Sequence, residues 1–167
     1  MADEKEMALS KSVFDALNSH LRDDIGLKFR TSERGDDYVI DFIMNGDDIP
    51  MQFYVIVNTG KQALMIHSPQ PVHFSKEQFG EAGIVLNAIN YRLACGSFQL
   101  DISDGTVVFC MSTLFAGSLI SNEVFDQMIA MAVHTVDDFN DKLMMLSKGM
   151  IEKEKIIVDM LHYDVDL

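Results

Sequence analysis

The sequence predicts an α+β domain in which amphipathic helices pack on one antiparallel sheet. Three segments place apolar residues every three or four positions, which is typical of helices with one buried face. Other segments are short and rich in β-branched and aromatic residues, as strands are. The links between those segments are too short for a crossover, so neighbouring strands must be antiparallel.

The first helix is expected to begin near Ser12, because Ser12 and Asp15 have the spacing of a capping box. Gly26 is expected to end it. Its apolar residues follow at helical spacing: Phe14, Leu17 and Leu21.

A meander follows, with a short strand at 27–31 and longer strands at 38–44, 51–57 and 63–67. Turn residues such as Asn45-Gly46 connect them. Pro69 and Pro71 are expected to end the last strand, since proline cannot donate to a sheet.

The second helix is expected over 75–94, opening with a Ser75–Gln78 capping box. Gly80 and Gly83 lie inside it, where close packing on the sheet is the expected reason. A hairpin at 97–103 and 106–114 turns at Asp104-Gly105, and Ile102 is expected to face inward.

A third helix is expected from Ser121 or Asn122 to about Leu146, with Gly149 as its cap. Residues 1–149 then form one domain, and 150–167 form a helical C-terminal tail. The tail is expected to dock on the domain or a sister subunit through Ile156, Ile157, Met160 and Leu161.

The composition is strongly acidic, with 13 Lys and Arg against 26 Asp and Glu, a net charge of −13 and a pI near 4.5. That field repels phosphate backbones and anionic lipid, so we expect no nucleic-acid and no membrane partner. A positively charged protein segment would be attracted. No secretory signal or membrane span is visible, and the two cysteines lack CxxC spacing, which indicates free thiols in the cytoplasm.

The chain is also apolar for a lone domain, with 48% hydrophobic residues and a mean hydropathy of +0.09. Segment 38–44 is largely apolar on both strand faces, with only Asp41 interrupting, and segments 53–57 and 107–111 are continuously apolar instead of alternating. Either helices cover both sides of a central strand, or another chain covers part of the sheet. Both explanations remain open from the sequence.

No segment has the residues of a catalytic or metal site. Asp101, Asp104 and Gly105 resemble a calcium loop, but the glycine comes too early and the closing glutamate is missing, so a β-turn is favoured. His67 and His73 lack a third ligand at suitable spacing. We therefore expect no catalytic residues, no metal and no cofactor, and a protein that is not an enzyme.

Several segments resemble the YbjN family, described as bacterial sensory transduction regulators, whose fold is similar to that of type III secretion chaperones. The resemblance is carried by Val-Leu-Asn-Ala-Ile-Asn-Tyr at 85–91, Gly-Ser-Phe-Gln-Leu-Asp at 96–101, Asp-Gly-Thr-Val at 104–107, and the helix from Asn122 to Leu146. It covers about residues 10 to 149. It implies an α-β-β-β-α-β-β-α domain, commonly a homodimer joined around the second helix, and it implies no catalytic residues.

Together these features predict a non-catalytic, protein-binding, chaperone-like regulatory module that acts as a homodimer on a protein client. The dimer contact is expected at Leu86, Ile89, Asn90 and Leu93, and a client groove at Phe14, Leu17 and Leu21. The alternative is a small-molecule-sensing regulatory domain, which requires an enclosed pocket between helices and sheet.

Overall fold

The computed structural model describes residues 3–161 and has the α+β architecture expected from the sequence. Its elements are α1 (Glu4–Ser19), a π-helical turn (His20–Asp24), β1 (Arg30–Arg34), β2 (Asp37–Asn45), β3 (Pro50–Asn58), β4 (Ala63–His73), a 3₁₀ turn (Lys76–Gln78), α2 (Phe79–Arg92), β5 (Ser97–Leu100), β6 (Thr106–Leu114), α3 (Asn122–Ser147) and α4 (Lys153–Leu161).

The described strands form one six-stranded antiparallel sheet in the order β1-β2-β3-β4-β6-β5. Alternate residues of each central strand enter a single apolar core together with the helices, as Val55 and Ile66 do from β3 and β4. Phe98 joins the layers, because its ring lies 5.2 Å from that of Phe109 on β6 and 5.9 Å from that of Phe139 on α3. All three rings are almost fully buried.

The first helix begins eight residues earlier than predicted from Ser12. The Asp3 side chain accepts from the Glu6 amide at 2.8 Å, and the Glu6 side chain accepts from the Asp3 amide at 2.9 Å. This capping box satisfies two free donors, and acidic residues in the first turn suit the helix dipole. The Ser12 hydroxyl instead donates to the Ala8 carbonyl within the helix.

The last strand of the meander continues to His73, so the prediction that Pro69 and Pro71 end it was wrong. Both prolines are exposed, and the register with β6 shifts between Pro69 and His73. An irregular ladder leaves some amides unpaired, so proline's missing N–H is tolerated there.

The hairpin turns at Asp104-Gly105 as expected, with Gly105 at φ 83°. Strand β5 ends at Leu100, and Ile102 is 72% exposed, so its inward orientation was wrong. The third helix begins as predicted, with the Ser121 hydroxyl accepting from the Val124 amide at 3.3 Å.

The tail contains a helix, α4, that packs on α2. Ile156 and Met160 are buried in the common core, whereas Leu161 is 64% exposed. The Arg92 guanidinium donates to the Leu161 carbonyl at 3.3 Å. The rest of the predicted tail, 162–167, lies outside the described residues. Within 3–161, no helix is long and apolar enough to span a membrane.

Candidate functional site

One face of the sheet carries no helix of the described chain, and we call it the open sheet face. Its rows follow from the strand register: Val39 lies opposite Ile56, and Ile56 opposite Met65. The next row places Tyr54 opposite His67 and His67 opposite Cys110. We define the open sheet face by these alternate residues: Val39, Ile43, Tyr54, Ile56, Met65, His67, Val108, Cys110 and Leu114.

The open sheet face is mainly apolar, although Asp41, Gln52 and Ser112 lie on it between the apolar residues. None of the residues that define it belongs to the core cluster or packs against it, although Val39 is only 1% exposed. Most of their strand neighbours of opposite parity do belong to that cluster or pack against it. Ile43 is 62% and Leu114 is 70% exposed, while Ile56 and Met65 are half-buried by the surrounding sheet. The two-faced apolar strands therefore have helices on one side only.

Burial shifts the pKa values of two groups on the open sheet face, His67 and Cys110. Burial lowers the pKa of His67, so its imidazole is neutral near pH 7. Burial raises the pKa of the Cys110 thiol, which keeps it protonated and weakly nucleophilic. The Arg34 guanidinium lies 5.7 Å from the Tyr54 ring centre, as in a cation–π contact.

Two shallow depressions lie on this same face. One, between β4, β5 and β6, is lined mainly by Met65, His67, Gln99 and Cys110. The other, between β1, β2 and β3, includes Arg30 and Ile43 in its lining. Both are open surface features. They are not enclosed pockets between the helices and the sheet, which the small-molecule alternative requires.

The predicted dimer residues face the chain's own interior. Leu86 and Ile89 are 3% and 0% exposed, and Leu93 packs partly buried against the same core. Asn90 tethers α2 to the edge strand, since its amide oxygen accepts from the Phe98 N–H at 2.8 Å and its amide nitrogen donates to the Phe98 carbonyl at 2.9 Å.

The opposite side of α2 is free, and we call it the outer α2 face. It is formed by Gly80, Gly83, Ile84, Asn87 and Tyr91, all exposed and spaced by three or four residues. Ile84 is 54% and Tyr91 is 83% exposed. A Cβ placed on Gly80 or Gly83 would meet nothing within 4 Å, so the predicted close packing of these glycines on the sheet was wrong.

The predicted groove residues hold α1 on the sheet. Phe14, Leu17 and Leu21 are 8%, 1% and 1% exposed, and the Phe14 ring stacks on Tyr38 with centres 5.0 Å apart. These side chains become accessible only if α1 leaves the sheet. The open sheet face could be anticipated from the sequence, because its strands do not alternate between apolar and polar residues. Ile84 and Tyr91 could not, because they only lie outside the apolar face of the second helix.

The polar clusters considered from the sequence serve local structure. The Asp104 carboxylate accepts from the Thr106 amide at 2.9 Å and from its hydroxyl at 2.7 Å, and that hydrogen bonding lowers the pKa of Asp104. Asp101 accepts from the Ser103 amide at 2.8 Å. Among the described residues, no group of three or more His, Cys, Asp or Glu side chains has the arrangement of a metal site.

Comparison with known proteins places the fold among regulators and chaperones. A chain of the HopA1–SchA chaperone–effector complex superposes with a TM-score of 0.58 at 9% identity, covering 84% of this chain and 99% of that one. The crystal structure of YbjN from E. coli superposes with a TM-score of 0.52 at 16% identity, covering 77% of this chain and 91% of that one. At such identities the likeness establishes the fold. No curated protein sequence matches the chain significantly.

The family model named YbjN, described as "Putative bacterial sensory transduction regulator", matches residues 19–144. That range runs from the end of α1 to the last turns of α3, and so includes the whole sheet and α2. The chain belongs to the YbjN family, and its fold is that of the type III secretion chaperones.

Proposed function

We propose that this chain is a non-catalytic, chaperone-like protein-binding module that holds a client segment on its open sheet face. The observation that carries the proposal is a mainly apolar sheet face whose defining residues lie outside the core cluster and, apart from Val39, remain partly or largely exposed. Soluble domains rarely leave a contiguous apolar patch of this kind unless it binds something. The chaperone–effector complex that shares the fold supports a protein as the ligand.

The proposed client segment is extended and combines apolar with basic residues. An extended chain offers alternate side chains at about 6.6 Å, twice the rise of one strand residue, so one side of it can match the alternate residues along a strand of the open sheet face. Basic residues are favoured because the net charge of −13 attracts cations at long range. Neutral His67 and Cys110 in the middle of the face leave its centre apolar.

The test is binding of a synthetic peptide with alternating Leu and Lys, compared with its Leu and Glu twin, by fluorescence anisotropy. We expect the Lys peptide to bind more tightly and to weaken with added salt, because the Debye length falls to about 3 Å at 1 M. Met65→Glu should weaken binding by at least about tenfold, because it places a charge in the apolar contact.

Met150→Glu is the matched control, because Met150 is 70% exposed and lies in the link between α3 and α4. Equal affinity for both peptides, or equal loss in both variants, would contradict a client site on the open sheet face.

We also propose that two copies associate through α2, with the outer α2 face at the contact and Asn90 and Leu93 at its margin. Gly80 and Gly83 allow two helices to approach more closely than the usual spacing of about 8–10 Å. Ile84 and Tyr91 would then be buried against their equivalents, as a two-fold contact requires.

Sedimentation velocity over a micromolar dilution series tests the dimer. The wild type should change from dimer to monomer on dilution, and Ile84→Glu should shift that transition to at least about tenfold higher concentration. Ile102→Glu is the matched control, since Ile102 is also an exposed isoleucine, 72% against 54% for Ile84, and lies in the hairpin turn. A monomer at all concentrations would refute the dimer without affecting the client site.

A further inference from the structure

His20 lies between two carboxylates at the junction of α1 and α3. Its Nδ1 is 2.8 Å from Asp24 Oδ2, and its Nε2 is 2.7 Å from Asp126 Oδ1. The side chain is only 8% exposed, and its ring meets that of buried Phe125 edge-on at 6.3 Å between centres. One imidazole therefore connects the end of the first helix to the start of the third.

A π-helical turn presents His20 in this position. Residues His20–Asp24 form the turn, and the Ile25 amide donates to the His20 carbonyl at 3.1 Å, five residues back. This wide turn ends the helical segment at Asp24, close behind Leu17 and Leu21, whose side chains are buried in the core. Single π turns inside or at the end of α-helices are frequent at functional positions.

The protonation state of His20 decides how many of its two bonds can form. Ionised carboxylates only accept hydrogen bonds, and a neutral imidazole has a single N–H. Both contacts are therefore hydrogen bonds only in the imidazolium form. When the ring loses a proton, one of the two nitrogens presents a lone pair to a carboxylate oxygen at the same distance.

We propose that His20 is a proton-operated clasp that fastens the C-terminal end of α1 to the N-terminal end of α3. The clasp is closed when the ring is charged and loses one of its two bonds when the ring is neutral. Its opening frees the end of the helix whose apolar residues, Phe14, Leu17 and Leu21, cover one part of the sheet. This inference does not depend on the identity of any client.

All the charged groups that face the ring act in the same direction. Hydrogen bonding to Asp24, and then to Asp126, raises the pKa of His20 above its ordinary value of 6.5, against the smaller opposing effect of burial. Glu123, in the first turn of α3, is also held ionised: its pKa is lowered mainly by backbone and Ser121 hydrogen bonds, and additionally by the His20 charge.

The direction of the pH dependence follows from these groups. A histidine whose pKa is raised on folding contributes its full stabilisation below the unfolded value of 6.5. The stabilisation is lost as the pH rises through the folded pKa. The clasp is therefore closed below about pH 6.5 and opens as the pH rises through the folded pKa, which lies above 6.5.

The experiment is a histidine NMR titration of the full chain combined with amide exchange at about pH 6 and about pH 9. The pKa of the His20 imidazole should lie above its ordinary value of 6.5. After correction for intrinsic exchange, the opening of residues 4–25 should increase roughly three- to tenfold across this range in the wild type.

His20→Gln should abolish that increase, because glutamine does not titrate, and His134→Gln should retain it. If His20→Gln does not fold, Asp24→Asn provides a second test: the contact of His20 with Asp126 remains, so the increase should become smaller without disappearing, and an unchanged increase would count against the clasp. Asp24 is 63% exposed, so this substitution leaves the core intact. A His20 pKa at or below 6.5, or α1 exchange that changes equally in wild type and His20→Gln, would overturn the proposal.

Discussion

Replacing Gly80 and Gly83 with alanine should stabilise the single chain while weakening its association. Both glycines lie in α2 with ordinary helical φ, and no atom lies within 4 Å of a Cβ built on either one. Alanine therefore lowers the entropy of the unfolded chain and adds no clash. At compatible helical positions this gain is about 0.4–1 kcal/mol per site, so about 1–2 kcal/mol for the pair.

The same two methyl groups would stand between the helices of a dimer. If α2 approaches its copy over these glycines, the double variant should dimerise at least about tenfold more weakly. The double variant would then make the single chain more stable against unfolding and make its dimer weaker. A purely structural role for the glycines would not produce that result.

The assay is urea unfolding at several protein concentrations, followed by sedimentation velocity on the same samples. At the lowest concentration the double variant should unfold at higher urea, and its midpoint should depend less on concentration than that of the wild type. Gly60→Ala is the control, because Gly60 also has free space around it but lies in the β3–β4 turn. A double variant that is less stable when dilute would refute the reasoning about the glycines.

Three further substitutions test the packing. Asn140→Leu should raise the free energy of unfolding in urea by about 1–2 kcal/mol, because neither atom of the fully buried Asn140 amide has a hydrogen-bond partner among residues 3–161. Lower stability would reveal a missing partner. Asn90→Ala should lower the free energy of unfolding by about 1–3 kcal/mol and accelerate amide exchange in β5, because it removes the partner of the Phe98 N–H and carbonyl. Unchanged exchange in β5 would contradict this prediction. Asp3→Ala should lower the free energy of unfolding by about 1 kcal/mol in thermal unfolding, because it removes the capping box of α1. An unchanged free energy of unfolding would instead indicate a helix that begins near Ser12.

The fold could be predicted where the sequence signal is local. Asp104-Gly105 requires a tight turn, and Ser121 places a capping hydroxyl directly before a long apolar repeat, so the hairpin and third helix were predicted correctly. The errors arose where two local signals compete. Ser12 could cap a helix, but the capping box formed by Asp3 and Glu6 lies before it and starts the helix earlier. Strand β4 continues through Pro69, because the pairing with β6 is irregular there and tolerates a residue without an N–H.

The candidate surfaces were less predictable, because periodicity identifies a buried face without saying what buries it. The apolar face of α2 that contains Leu86 and Ile89 was predicted to contact a second copy of the chain. In the structure this face packs within the chain, against β5, α4 and the common core. The residues left for a partner are those outside this face, Ile84 and Tyr91. Only the three-dimensional arrangement shows which apolar residues remain uncovered.

The most direct test of the account is an NMR binding experiment with the Leu/Lys peptide, read residue by residue along β3, β4 and β6. A client on the open sheet face should perturb the side chains of Ile56, Met65 and Val108, while the core-facing Val55 and Ile66 change much less. The perturbations should therefore alternate along each strand. Equal shifts on both faces, shifts confined to the core-facing residues, or no shifts at saturating peptide would contradict the central claim.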